Sequence, residues 1–159
     1  MSNRRRYAAA YMLDKPKLGE VFTKWPLHIT VLPWFECQDI AIYVGMLEKT
    51  ARKIRPFYVT VGREADFGPD GGVPVKLVNK TYPLTELHAT VCRLLMYGKG
   101  HAGSREERIT RPWRPHITVR GDRHISTGTK VLVDSLDIVE DIKDGRMGRK
   151  SVARIKFLG

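Results

Sequence analysis

The sequence predicts an α+β protein: one domain over residues 1–159, made of two pseudo-equivalent lobes at about 1–67 and 73–159. Three observations point there. The tetrapeptide HITV occurs twice, as His28-Ile29-Thr30-Val31 and His116-Ile117-Thr118-Val119, each time with a Trp and a Pro just upstream. Both copies lie in runs rich in β-branched and aromatic residues, which is a strand signal. Each half also holds one segment whose apolar residues recur at helical spacing.

In chain order, residues 6–13 (RYAAAYML) read as a first strand, and 15–24 as a polar connection with room for one helical turn. The first HITV strand spans 27–35. In the next segment Ile40, Tyr43, Val44, Leu47, Ala51 and Ile54 form one apolar helical face. Arg55-Pro56 ends it, because a residue before proline avoids the α region. FYVTV from Phe57 is a strand, GPDGG over 68–72 a turn cluster, and VPVKLVN from Val73 another strand. Pro83 suits the first turn of a second helix, with Leu84, Leu87, Val91, Leu94 and Leu95 on its apolar face and Gly98 as its stop. Residues 98–112 read as an exposed basic loop before the second HITV strand. KVLVDSLDIVED over 130–141 and SVARIKFL over 151–158 read as two paired strands about a turn at Asp144-Gly145.

Composition narrows the function. With 42% hydrophobic and 28% charged residues the chain is globular in type. No window approaches the roughly 20 apolar residues of a membrane helix, so no membrane partner is expected. The basic, briefly apolar start lacks a convincing cleavage site, and a cytoplasmic location is expected. Two cysteines, Cys37 and Cys92, make no disulfide framework. The 28 Lys and Arg against 17 Asp and Glu leave a formal +11, which favours anionic partners, nucleic acid or nucleotides first.

Strand alternation turns the repeated tetrapeptide into chemistry. Ile29 and Val31 face the core, so His28 and Thr30 face the other way together; Ile117 and Val119 stand in the same relation to His116 and Thr118. Two facing lobes would bring two imidazoles and two hydroxyls into one cleft. A neutral imidazole can take a proton from an attacking oxygen and a protonated one can give a proton to a leaving oxygen. The hydroxyls can donate to non-bridging phosphoryl oxygens, and no metal or other cofactor is required. A single His-x-Thr is common, but two of only five histidines stand in identical tetrapeptides. A zinc site from His28 and His116 with His88, Cys37 or Cys92 is the competing reading; none of these pairs has the close spacing of zinc motifs. Around the two motifs, Arg120 shares the face of Thr118 and could hold a phosphate. Trp34 and Phe35 could stack on a base, Arg114 and Arg111 flank Trp113 in a mix that suits single-stranded nucleic acid, and Trp25 and Trp113 could wedge the turns into the strands.

Two H-x-T motifs, one per half of a small α+β protein, resemble the 2H phosphoesterase superfamily, which includes LigT-like RNA 2',3'-cyclic phosphodiesterases, also called 2'-5' RNA ligases. RPHITVR at 114–120 is similar to the family's usual P-H-I-T-x-x-R form, and the segment after the turn at 66–72 resembles its middle part. The resemblance implies a bilobal fold with antiparallel sheets around a central cleft and metal-independent phosphodiester chemistry on an RNA, oligonucleotide or cyclic-nucleotide substrate, with no protein partner evident. It carries catalysis to His28 and His116 and phosphate binding to Thr30 and Thr118. Members differ in which histidine is the acid; for hydrolysis, His28 is given that role here and His116 the role of base. The bonds implied are a 2',3'-cyclic phosphate, a 2'-5' linkage or a cyclic oligonucleotide, with ligation in reverse. Short members include phage and viral proteins that destroy host cyclic or 2'-5'-linked oligonucleotide signals. The alternative is a catalytically silent RNA- or nucleotide-binding protein. The chain departs from the pattern late, where IVEDIKDGR is acidic in place of an expected serine.

Overall fold

A computed structural model describes residues 5–102, 112–119, 121–142 and 146–159. The elements are β1 (Arg5–Met12), β2 (Val21–Phe22), β3 (His28–Cys37), α1 (Ile40–Ala51), β4 (Phe57–Phe67), β5 (Val73–Val78), α2 (Tyr82–Leu94), β6 (Gly100–His101), β7 (His116–Thr118), β8 (Lys130–Val133), β9 (Ser135–Asp141) and β10 (Arg149–Lys156). They build a six-stranded sheet in the order β2-β10-β9-β1-β3-β6 and a four-stranded sheet in the order β7-β5-β4-β8. Every pairing is antiparallel. The six-stranded sheet takes strands from both ends of the chain, and the four-stranded sheet is built from strands between Phe57 and Val133.

The helices form for the reasons their spacing suggests. In α1, Tyr43, Leu47 and Ala51 recur every fourth residue and are buried. In α2, the Thr81 hydroxyl accepts a hydrogen bond from the Leu84 amide, Pro83 sits in the first turn, and Leu84, Leu87, Val91 and Leu94 are buried. The Tyr43 hydroxyl donates to the Val91 carbonyl at 2.8 Å and ties the two helices. Both pack on one face of the six-stranded sheet, in a core that joins Ile29, Val31 and Phe35 to Ile117 and Val133.

Several local expectations are revised. Gly98 does not end α2 through a left-handed backbone; the chain tightens into a 3₁₀ turn over Leu95–Gly98, and Lys99 takes the positive φ of 52°. Gly98 serves close approach instead, since a β-carbon there would lie 2.8 Å from Cys37 Sγ and 2.9 Å from Tyr43 Cβ. The 15–24 connection holds no helical turn, but β2, paired with Arg149 and Lys150. The run 130–141 is two strands in different sheets. β8 alternates exposed and buried residues, as a half-covered edge strand does, whereas Ser135 to Val139 of β9 are buried without a break because β1 and β10 flank it. Asp134, at the switch, pairs with Lys15 at 3.3 Å. Of the basic loop, Gly100 and His101 pair with Cys37 and Glu36 as β6. The turn at Asp144-Gly145 lies outside the described residues, as do Arg105, Arg108, Arg111 and Arg120.

Candidate active site

The alternation that buries the core also builds the site. Ile29, Val31 and Ile117 have no exposed surface, while His28, Thr30, His116 and Thr118 are half-buried on the opposite side. All four line one cleft of about 650 Å³ between the sheets. Among the described residues β7 is the edge of its sheet and β3 pairs with β6 only at Glu36 and Cys37, so the two edges can lie side by side. Trp113 joins them: its Nε1–H donates to the Thr30 carbonyl at 3.0 Å. The indole is held by His88, whose ring stacks on it at 4.2 Å and 6° and whose Nδ1–H donates to the Val31 carbonyl at 2.6 Å. Trp113 thus fixes the first motif from the approach to the second.

The two catalytic candidates are oriented alike. His28 Nδ1 lies 2.8 Å from the Pro26 carbonyl and His116 Nδ1 lies 2.8 Å from the Arg114 carbonyl. A carbonyl only accepts, so each Nδ1 carries the hydrogen and each Nε2 keeps its lone pair when the ring is neutral. Their surroundings differ. His28 stacks on Trp25 at 4.3 Å and 28°, while His116 is tilted by 58° against Phe67 at 4.4 Å. Burial pushes the His28 pKa down to about 4, against the pull of the Pro26 carbonyl and with help from the charges of His116 and Arg123. With that pKa the ring is unprotonated at neutral pH.

The cleft is cationic, with Lys24, Arg123 and Arg149 on its walls against Asp122. Arg123 Nη1 is buried and has no hydrogen-bond partner among the described residues. Such a donor costs free energy unless an acceptor meets it, and beside two histidines that acceptor fits a phosphoryl oxygen.

The remaining expected residues separate. Trp34 lines the cleft, with its ring edge toward Trp25 at 5.9 Å. Phe35 does not: it is 2% exposed and packs against Tyr7 and Tyr43, so its assignment to substrate is corrected to the core. Neighbours on a strand face opposite ways, so Trp34 turns to the cleft and Phe35 to the core, although the alternation is interrupted between Thr30 and Phe35, where β3 shifts register twice against β1 and Leu32 is buried. The Arg114 guanidinium lies over Phe67 at 4.9 Å, behind His116 and off the cleft wall, and that residue meets the site through its carbonyl. Arg120 lies outside the described residues. Cys37 donates to the Gly98 carbonyl at 3.4 Å and Cys92 Sγ lies 3.8 Å from His88 Nε2, neither on the cleft wall. Among the described residues no group of three or more His, Cys, Asp or Glu is gathered to hold a metal.

Arg149 and the wall formed by Trp25 were missed from sequence. A signal existed for Trp25, which precedes His28 by three residues just as Trp113 precedes His116; nothing local marks Arg149. The acidic stretch at 140–141 also finds its place: Glu140 pairs with Arg5 and Lys150, and Asp141 with Arg6 and Arg149.

No helix among the described residues is long and apolar enough to cross a membrane. Residues 5–126 match the 2'-5' RNA ligase superfamily. A candidate phosphoesterase of Oceanobacillus iheyensis is 26% identical over 121 residues, 75% of this chain and 59% of that protein, so the chain matches less than two thirds of that relative. Among solved structures, a phosphoesterase superposes with a TM-score of 0.61 at 17% identity, covering 99% of this chain and 100% of the other. Escherichia coli LigT in complex with 3'-AMP superposes with a TM-score of 0.58 at 16% identity over the same shares. With its α+β architecture of two antiparallel sheets and the family match across most of its length, the chain belongs to the 2'-5' RNA ligase superfamily of 2H phosphoesterases.

Proposed function

We propose that the chain is a phosphodiesterase that opens an RNA-type phosphodiester, a 2',3'-cyclic phosphate or a 2'-5' linkage, by proton transfer at His28 and His116. The observation that carries this reading is the matched pair of imidazoles, each pinned through Nδ1 and each left with Nε2 for chemistry. His28 Nε2 takes a proton from water as its oxygen forms a bond to phosphorus. The bond from phosphorus to the leaving ribose oxygen breaks, and that oxygen takes its proton from His116 Nε2. One proton enters the protein and one leaves, and exchange with solvent resets both rings. Thr30, Thr118 and Arg123 donate to the non-bridging oxygens, where charge gathers. His28 is the base because its dry, stacked ring is neutral; His116, the more open of the two, is the acid. The same steps run backward join a 2'- or 3'-hydroxyl to the phosphate.

The test is a substrate panel with products identified by mass: uridine and adenosine 2',3'-cyclic phosphates, 2'-5' oligoadenylate and 3'-5' cyclic dinucleotides, each with and without EDTA. Turnover of a cyclic phosphate or 2'-5' bond, unchanged by EDTA, is expected. Binding without turnover of any of them would leave a nucleotide-binding protein. Activity lost in EDTA and restored by a divalent metal would return a metal to the mechanism.

A further inference from the structure

We infer that Arg149, in the notch between Trp25 and Trp34, forms a second phosphate subsite that takes the phosphate next along the nucleotide chain from the one reacting at His28 and His116. This rests on the phosphodiesterase reading for which phosphate reacts, but on separate observations for the subsite. The guanidinium carbon lies 5.6 Å from the centre of each indole. Trp25 is the ring that stacks on His28 at 4.3 Å, so guanidinium and imidazole are at most about 10 Å apart, through one shared indole. The reach is that of a single nucleotide. Arg149 also lines the same cleft as both histidines.

The bonding of Arg149 is incomplete in a way that a structural arginine's is not. Among the described residues its carboxylate partner, Asp141, stands 3.8 Å from Nε, too far for a hydrogen bond. Asp141 Oδ2 is already met by Arg6 at 3.5 Å, and Arg6 in turn lies over Trp34 at 5.4 Å. Arg149 Nε and Asp141 Oδ1 are both buried without a hydrogen-bond partner among the described residues. By contrast, Arg154, five residues on in the same strand, makes three hydrogen bonds at 2.6–2.8 Å, to Asp137 and the Pro16 carbonyl. Arg149 is therefore held by two aromatic faces and a loose ion pair, and among the described residues its guanidinium, a planar fork of donors, makes no hydrogen bond on the cleft wall. That fork matches phosphate oxygens two at a time, which an ammonium cannot do. With His28 at one side of Trp25 and a preset guanidinium beside the same ring, the cleft is shaped for a nucleotide bearing phosphate at both ends of its ribose.

The probes are adenosine 3'-monophosphate and adenosine 3',5'-bisphosphate, neither of which can be opened as a cyclic ester, titrated against tryptophan fluorescence. Wild type is expected to bind the bisphosphate about tenfold more tightly, the scale of one charge-assisted bidentate contact. Arg149→Gln should erase that difference and leave the monophosphate affinity unchanged. Arg149→Lys, which keeps a cation beside Asp141 and serves if the Gln variant does not fold, should lose most of it. In turnover, Arg149→Gln should raise KM for a 5'-phosphorylated nucleoside 2',3'-cyclic phosphate far more than for its 5'-hydroxyl counterpart, so that the preference for the 5'-phosphate is lost. Equal binding of the two probes by wild type, or a folded variant that retains the full difference, would overturn the subsite. If wild type turns over no substrate, the phosphodiesterase reading falls, and the two-probe titration still decides whether Arg149 holds a phosphate.

Discussion

His28 and His116 stand in the same tetrapeptide and make the same backbone hydrogen bond, yet the fold surrounds them differently. The first lies in a strand of 10 residues of the larger sheet, the second in a strand of 3 at the edge of the smaller one. A Trp precedes each by three residues, but Trp25 stacks on its own histidine while Trp113 leaves His116 to Phe67 and reaches across to the Thr30 carbonyl. The comparison separates two levels of control. Local sequence sets the tautomer and the direction of each ring. The tertiary environment sets what surrounds each ring, an indole and burial that lower proton affinity at His28 and a tilted Phe67 at His116.

Deleting each ring in turn is expected to have the largest effect. His28→Ala and His116→Ala should each lower turnover by about 10²- to 10⁴-fold, the usual size of a general acid or base contribution, with both variants folded because the imidazoles face the cleft. A phosphodiester with a p-nitrophenolate leaving group then tells the roles apart. That group departs without a proton, so His116→Ala should recover much of its activity on it and His28→Ala should not. Recovery by His28→Ala instead would reverse the assignment.

A second test removes the difference in environment. The His28 ring is neutral above about pH 4, so the acidic limb of kcat/KM should lie far below that of an ordinary histidine. Trp25→Leu opens the ring to water and should raise its pKa, moving the limb upward and costing more activity at pH 5 than at pH 8. NMR titration of the imidazole checks the shift directly. The sign for stability follows too. The folded ring binds its proton less tightly than the unfolded one, so wild type should lose stability as pH falls from 6.5 toward about 4, and Trp25→Leu should lose less over that window.

The smallest effect is expected from the link between the motifs. Trp113→Phe keeps an aromatic ring on His88 but removes the donor to the Thr30 carbonyl. A loss of about 1 kcal/mol in denaturant unfolding is expected, the net worth of one hydrogen bond, with a few-fold drop in kcat and little change in KM. An unchanged kcat would show that Thr30 does not depend on that strut.

Much of this molecule follows from short-range rules, which is why it was legible without coordinates. Side chains two apart on a strand share a face, so HITV by itself placed His28 with Thr30 and His116 with Thr118. The same rule separates Trp34 from its neighbour Phe35. The period of Tyr43, Leu47 and Ala51 and the proline in the first turn of α2 likewise act over a turn or two of chain. Tertiary structure decided what depends on distant partners. The run 130–141 divides between two sheets because β4 captures one part and β1 with β10 the other, a competition that no local pattern records. Gly98 is required by the approach of Cys37 and Tyr43, and the acidic pair at 140–141 by arginines at the other end of the chain. Arg149 joins Trp25 and Trp34 only once the last strand lies beside β9 and β2, and the low proton affinity of His28 exists only where an indole and the folded core keep water from its ring. Burial and charge act through space, and two identical tetrapeptides acquire different surroundings because the chain packs different neighbours around them.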